Sequence, residues 1–245
     1  MVFENSSGRL NSAKKIDINK SIFIHGKPIW QPVLLQTLYG VALQLSPVPY
    51  SHHTMTPRYP APDLNNLPDD IKAKVLEVQA KAGFIPNVFV AFARRPAEWR
   101  AFFAYHDALM LKEDGNLSKG DREMIVTTTS AANKCTYCVV AHGAILRIYE
   151  KKPLVADQVA VNYLKAEISP RQKAMLDFAM KVCLQSHDIN DDDFKALHAH
   201  GFDDEDAWDI AAITAFFGLS NRMASFADMM PNPEFYLMGR LPKGK

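Results

Sequence analysis

Two cysteines, a histidine and a glutamate form the group of residues in this sequence that could perform redox chemistry. Cys135 and Cys138 are separated by two residues, and His142 follows Cys138 by four. Residues three and four apart are neighbours on one face of a helix, so a helix here would place both thiols and the imidazole side by side. Glu123 stands twelve residues before Cys135. A thiolate nucleophile needs a base to take its proton, and that base needs an orienting partner. His142 and Glu123 can supply these two groups.

The cap signals around the cysteines predict a helix from Asn133 to about Tyr149. Asn133 is a good N-cap residue, which would place Cys135 in the first turn. The unpaired N–H groups and the positive end of the helix dipole favour a thiolate at that position. Proximity to His142 instead favours Cys138 as the reactive thiol. The residues alone therefore leave the order of the two cysteines open.

A Cys-x-x-Cys pair can cycle between dithiol and disulfide, bind a metal, or simply fill a core. Zinc would need a fourth ligand besides Cys135, Cys138 and His142, and no second Cys-x-x-Cys or histidine pair supplies one. The third cysteine, Cys183, has His187 four residues later but no partner cysteine, and it is interpreted as a core residue. The acid–base residues Glu123 and His142 favour redox cycling of the pair, so neither a metal nor a cofactor is expected.

The composition argues against several classes of protein. The formal net charge of the 245 residues is +1, which gives no electrostatic case for binding nucleic acid or a membrane surface. Three cysteines do not make a disulfide scaffold, and they suit a reducing compartment such as the cytoplasm. No apolar run reaches the ~18 residues expected of a membrane span.

The chain is predicted to contain one helical domain with a tail at each end. Residues 1–54 lack the periodic apolar side chains of a core, and we expect them to form a disordered or loosely attached extension. Over 55–236, cap residues such as Ser118 and Ser169 bound a succession of apolar helical stripes. No convincing alternating strand appears. These patterns predict an all-α fold, with a single multi-helical domain at 55–236 and a C-terminal tail at 237–245.

The spacing from Glu123 through Cys135-Thr-Tyr-Cys138 to His142 resembles that of a known family. It is similar to the alkylhydroperoxidase D branch of the carboxymuconolactone decarboxylase superfamily, and particularly to its peroxidase-related subgroup. The likeness covers about Pro60 to Tyr236. It includes the Ser169-Pro-Arg helix opening, the turn beginning Gly201-Phe, and the segment Phe216-Phe217 followed by Asn221-Arg222.

The resemblance implies an alkylhydroperoxidase D-like helical fold and a haem-free thiol peroxidase. In that family the second cysteine attacks the peroxide and the first resolves the sulfenic acid as a disulfide. Carried over, Cys138 is peroxidatic, Cys135 is resolving, and His142 with Glu123 forms a proton relay. The implied partners are a hydroperoxide substrate, a dithiol reductant or a lipoyl-type or thioredoxin-type protein donor, and further copies of the chain in a dimer, trimer or hexamer.

The sequence departs from the family pattern at Tyr137, where well-studied members have a second histidine. A phenol can form hydrogen bonds but cannot act as a base near neutral pH, so we expect Tyr137 to have a supporting role. Two other functions stay open: a thiol–disulfide oxidoreductase, and a non-catalytic redox-sensing helical module. Decarboxylation is not expected, because the decarboxylases of the superfamily lack the cysteine pair.

Overall fold

The computed structural model describes residues 59–240 and, earlier in the chain, the two-residue strands β1 (Phe23–Ile24) and β2 (Lys27–Pro28). The strands pair in antiparallel register, Phe23 opposite Pro28 and Ile24 opposite Lys27. The sequence did not predict them, because two residues are too few to show the alternation of a strand.

The chain divides into two compact units, Met1–Thr54 and Met55–Lys245. Apart from β1 and β2, the predicted loose extension at 1–54 lies outside the described residues. Of the predicted tail at 237–245, residues 237–240 are described, with Arg240 paired to Asp157, and residues 241–245 are not. Both assignments stay predictions.

Residues 59–240 are all-helical, as the sequence predicted. The helices are α1 (Asp69–Ala82), α2 (Asn87–Phe92), α3 (Pro96–Met110), α4 (Lys119–Ala132), α5 (Thr136–Glu150), α6 (Val155–Asn162), α7 (Pro170–Gln185), α8 (Asp191–His198), α9 (Asp204–Phe226) and α10 (Pro233–Leu237). Short 3-10 turns lie at Leu64–Asn66, Tyr163–Lys165 and Ser186–Asp188.

Side-chain caps define the beginnings of two central helices. Ser118 and Asp121 form a reciprocal capping box at the start of α4, and Ser169 and Gln172 form another at the start of α7. Each box satisfies two backbone N–H groups that would otherwise lack an intrahelical partner. The two cap residues predicted from the sequence are thus confirmed.

Helix α4 is the central element of the domain, packed against α5, α6, α7 and α9. Its residues from Gly120 to Ser130 are buried, and Met124, Ile125 and Val126 have no exposed surface. A helix that is buried on all sides must be surrounded by other elements. In the described part of the chain, no helix combines the length and the apolarity needed to cross a membrane.

The junction between α4 and α5 differs from the sequence prediction. Asn133 is the C-cap of α4, Lys134 takes a left-handed backbone with φ of 56°, and Cys135 is the N-cap of α5. The predicted helix start at Asn133 was therefore wrong by two residues. Asparagine is favoured at the N-cap of a helix but also near its C-terminal end, so its presence alone does not say which end it marks.

Candidate active site

Cys135 caps helix α5 with its own sulfur. Its Sγ accepts a hydrogen bond from the backbone N–H of Cys138 at 3.5 Å. Its own N–H donates to the carbonyl of Ser130 at 3.0 Å, which holds the N-cap against the end of α4. A sulfur in this position faces the unpaired N–H groups of the first turn, and these groups favour its ionised form.

Cys138 completes a buried thiol pair, each residue being 1% exposed. Hydrogen bonds from the side chain and the backbone of Cys138 lower the pKa of Cys135 to about 6, with smaller help from Asn221 and Ser225. Hydrogen bonding to Cys135, together with burial, raises the pKa of Cys138. Both shifts favour Cys135 over Cys138 as the sulfur that ionises first in the reduced pair.

Glu123 and His142 form a second buried pair one helical turn from Cys138. The Nδ1 atom of His142 lies 2.7 Å from Oε2 of Glu123, and both side chains are largely shielded from solvent. Phe217 of α9 packs edge-on against the imidazole, with ring centroids 4.7 Å apart. The carboxylate orients the ring with Nδ1–H toward Glu123, which leaves Nε2 free to exchange a proton.

The structure thus brings the predicted residues together as two pairs. Among residues 59–240, no hydrogen bond joins His142 to Cys138 or to Cys135. His142 follows Cys138 by four positions in α5, so the two occupy neighbouring turns on one side of the helix. A proton that passes between the pairs needs a carrier such as a water molecule or an oxygen of the substrate.

Tyr137 links α5 to α2 and does not point its phenol at the thiols. Its Oη accepts a hydrogen bond from the N–H of Val88 at 3.1 Å, and burial raises its pKa. Tyr137 therefore does not replace the second histidine of the family as a base. It fastens the segment that covers the cysteines.

Helix α2 and the residues before it form that cover. Apolar side chains of this segment pack on the cluster that contains the two cysteines: Phe84, Val88, Ala91 and Phe92. Asn232 also holds this segment. Its Oδ1 accepts a hydrogen bond from the Asn87 N–H, and its Nδ2 donates one to the Ile85 carbonyl. Both thiols are 1% exposed, so we expect a reagent to reach them faster when the packing of this segment is loosened.

We predict that Tyr137→Phe speeds the reaction of the thiols with iodoacetamide by about two- to tenfold, because one hydrogen bond of the cover is lost. The measurement is the alkylation rate of the reduced protein at fixed pH. Tyr163→Phe is a matched control, since its phenol donates to Asp177 at a site outside the cysteine cluster. Equal rates in wild type, Tyr137→Phe and the control would contradict the role of the cover.

Helix α9 contributes residues that the sequence analysis did not assign to the site. The Ser220 hydroxyl lies 3.9 Å from the Cys138 sulfur, and Asn221 is buried beside the pair. Both are more than eighty positions from the cysteines, so spacing could not reveal the contact. The one sequence feature that could have pointed to Asn221 is the Asn221-Arg222 segment, which is among the residues that resemble the family.

Two further residues with redox or acid–base side chains, Cys183 and His106, form no hydrogen bond to either thiol of the pair among residues 59–240. Cys183 of α7 is half-buried, with its Sγ 4.0 Å from the carbonyl of Thr129. His106 pairs with Asp107 on α3. Within the described residues, no group of three or more His, Cys, Asp or Glu side chains is placed to hold a metal ion.

Comparisons with known proteins place the chain in a family. The sequence model of the Carboxymuconolactone decarboxylase family matches residues 96–153, which span α3 to α5. The alkylhydroperoxidase AhpD core of a peroxidase-related protein from Ralstonia eutropha JMP134, known from a crystal structure, is 75% identical in sequence. The two structures agree with a TM-score of 0.75, and the match covers 76% of this chain and 97% of that one. A peroxidase-related protein from Silicibacter sp. TM1040 is 42% identical, with a TM-score of 0.70 over 75% and 94%. The chain therefore belongs to the alkylhydroperoxidase D-like branch of the carboxymuconolactone decarboxylase superfamily.

A more distant structure shares only the fold. The debrominase Bmp8 in complex with 2,3,4-tribromopyrrole is 18% identical, with a TM-score of 0.61 over 75% of this chain and 96% of that one. A search of curated proteins found no match. The fold thus serves more than one chemistry, and the activity has to be argued from the site.

Proposed function

We propose that this protein is a thiol-dependent hydroperoxide reductase that cycles Cys135 and Cys138 between dithiol and disulfide. The observation that carries the proposal is the buried thiol pair at the start of α5, in which the Cys138 N–H donates to the Cys135 sulfur, with the Glu123–His142 pair one turn further along. A thiolate supplies the nucleophile, and an oriented imidazole supplies the acid that a departing oxygen needs. The family membership and the peroxidase-related names of the relatives support the same chemistry.

The first half of the proposed reaction oxidises Cys138. Its proton passes to the Cys135 sulfur, and the Cys138 sulfur attacks one oxygen of the hydroperoxide. The O–O bond breaks, Cys138 becomes a sulfenic acid, and the departing alkoxide takes a proton from the imidazolium of His142. Glu123 stabilises the positive charge on the imidazole until that proton leaves.

The second half of the proposed reaction closes the disulfide. The Cys135 sulfur attacks Cys138, the S–O bond breaks, and the leaving hydroxide takes the Cys135 proton to form water. An external dithiol, either a small molecule or a lipoyl-type or thioredoxin-type protein, then reduces the disulfide by two exchange steps. We propose a cytoplasmic location, where such reductants keep thiols reduced.

The direct test is stopped-flow oxidation of the reduced protein by hydrogen peroxide and by an organic hydroperoxide. The expected products are the alcohol, water and a disulfide between Cys135 and Cys138, found by mass spectrometry. The same peroxide loss in a chain that lacks both cysteines would rule out the proposed reaction.

A specific observation favours a second candidate, a thiol–disulfide oxidoreductase. Cys135 caps a helix and has a pKa of about 6, which makes it the thiolate that would attack a disulfide directly. In this function Cys135 forms the mixed disulfide and Cys138 resolves it. Reduction of insulin without peroxide consumption would select this candidate. A protein active in neither assay would be a redox-sensing module.

We also propose that the protein forms a homo-oligomer, as a dimer, trimer or hexamer. Several large apolar side chains of α3 and α9 are exposed around a groove of about 780 Å³: Tyr105, Leu219, Met223 and Phe226. Monomeric proteins rarely expose large contiguous apolar patches. Size-exclusion chromatography with light scattering should give a multiple of the chain mass of 27.5 kDa. A mass of one chain would contradict the proposal.

A further inference from the structure

Ser220 of α9 places a buried hydroxyl against one sulfur of the thiol pair. The residue is 5% exposed, and its Oγ lies 3.9 Å from the Sγ of Cys138. A thiol and a hydroxyl each carry one hydrogen, so either group can donate while Cys138 is neutral. Once Cys138 has lost its proton, only the hydroxyl can donate, and the sulfur can only accept.

The bonding of this hydroxyl differs from that of three other buried hydroxyls in the helices. A serine or threonine inside a helix can donate back to the carbonyl four residues earlier. Thr127, Thr129 and Thr214 each do so, at 2.8 Å. Among residues 59–240, the Ser220 hydroxyl forms no such bond, and its one hydrogen-bonding partner is the Cys138 sulfur. Its hydrogen is therefore available to that sulfur.

The two sulfurs have donors of different origin. The Cys135 sulfur accepts from the backbone N–H of Cys138, a donor that the first turn of a helix supplies to its N-cap. Cys138 lies within α5, where the helix start offers its sulfur no such N–H group. A buried charge without a hydrogen-bond donor is costly. The proposed attack on peroxide puts negative charge on Cys138, so this sulfur needs a donor from another element, and Ser220 is placed to supply it.

The ionisable side chains at this site belong to α4 and to the first turns of α5: Glu123, Cys135, Tyr137 and His142. The side chains that α2 and α10 add to the cysteine cluster are apolar. Hydrogen bonding to Cys135, followed by burial, raises the pKa of Cys138, and the Ser220 hydroxyl acts in the opposite direction. Its effect on Cys138 is thus clearest when Cys135 is removed.

We propose that Ser220 is a catalytic residue of the dithiol, whose hydroxyl donates a hydrogen bond to the Cys138 sulfur when that sulfur carries the negative charge. Charge-assisted hydrogen bonds are shorter and stronger than neutral ones, so the contact tightens as Cys138 ionises. Ser220 keeps its own hydrogen, and the proton leaves Cys138 by the route proposed above. The inference rests on the proposed redox role of the pair, and it adds to that role a group from α9.

The test is the pH dependence of iodoacetamide alkylation at Cys138 when Ser220→Ala is added to a Cys135→Ser chain. Peptide mass spectrometry separates the label at Cys138 from that at Cys183. The midpoint should rise by about half a unit to one unit, which corresponds to roughly three- to tenfold less thiolate below the midpoint. Alanine favours the helix and removes only one oxygen, so we expect the variant to fold.

Two controls separate a donor from a packing residue. In a Cys138→Ser chain, Ser220→Ala should leave the alkylation midpoint of Cys135 unchanged, because the donor of that sulfur is a backbone N–H. Thr214→Val removes another buried hydroxyl of α9, one that bonds to the Ile210 carbonyl. In the Cys135→Ser chain it should leave the Cys138 midpoint unchanged.

An unchanged Cys138 midpoint in Ser220→Ala would overturn the proposal. Equal shifts at Cys138 and Cys135, or an equal shift at Cys138 in Thr214→Val, would also overturn it, because loosened packing would then explain the effect. The assay contains no peroxide, so its outcome does not depend on whether the protein is a peroxidase. The expected shift in a protein that consumes no peroxide would retain the donor and reject the proposed function.

Discussion

Cys138→Ser is expected to abolish peroxide consumption, while Cys135→Ser should react once and stop. Without Cys138 the proposed nucleophile, which stands one helical turn before His142, is gone. Without Cys135 the sulfenic acid forms at Cys138 but has no thiol in reach to close the disulfide. Because the Cys135 sulfur also accepts the proton of Cys138, the single turnover of Cys135→Ser should be slower than the first oxidation of wild type.

Mass spectrometry of the oxidised variants measures this prediction, with a sulfenic-acid trap to label the oxidised sulfur. The label is expected at Cys138 in Cys135→Ser. A label at Cys135 in Cys138→Ser, formed at the wild-type rate, would reverse the two roles. That outcome would agree with the lowered pKa of Cys135 and with its position as the N-cap. Cys183→Ser is the matched control, because this third cysteine lies on α7 and should leave turnover unchanged.

The second large effect is expected at His142. General acid–base assistance contributes typically ~10²–10⁴-fold, so His142→Ala should slow peroxide reduction by about that factor. Glu123→Gln keeps the shape of the side chain and removes the charge that stabilises the imidazolium, so a smaller loss is expected. The double variant should be little worse than His142→Ala alone, because both residues act on one proton.

His106→Ala provides the control for this series. His106 packs near the same Phe217 ring, with centroids 6.3 Å apart, but its Nδ1 pairs with Asp107 on its own helix. Its removal changes the packing around Phe217 without touching the Glu123–His142 pair. Steady-state rates and the pH profile of alkylation are the measurements. If the His142 and Glu123 variants lose thermal stability while both readouts match wild type, the pair is only a contact between α4 and α5.

The local features of the site could be predicted from the sequence because they depend on near neighbours along the chain. Serine caps marked the starts of α4 and α7, since a hydroxyl at the N-cap satisfies N–H groups two or three residues away. The spacing of Cys135, Cys138 and His142 predicted that they share one helix, which they do. The pairing of Glu123 with His142 came from the chemistry of nucleophile and base, and the structure places the two side chains 2.7 Å apart.

The tertiary structure determined the features of the site that depend on residues far apart in the sequence. Asn133 ends one helix instead of starting the next, because the chain turns at Lys134 to pack α5 on α4, and Cys135 becomes the cap. Asn221 of α9 bonds to Ser130 and Asn133 just before the cysteines, and Tyr137 bonds to Val88 because α2 packs against the start of α5. The pKa values of the two thiols are set mainly by their contact with each other and by burial, and the burial depends on this packing. The sequence by itself determined which groups are available for the chemistry, and the packing of α2, α4 and α9 around the start of α5 determined their burial and their partners.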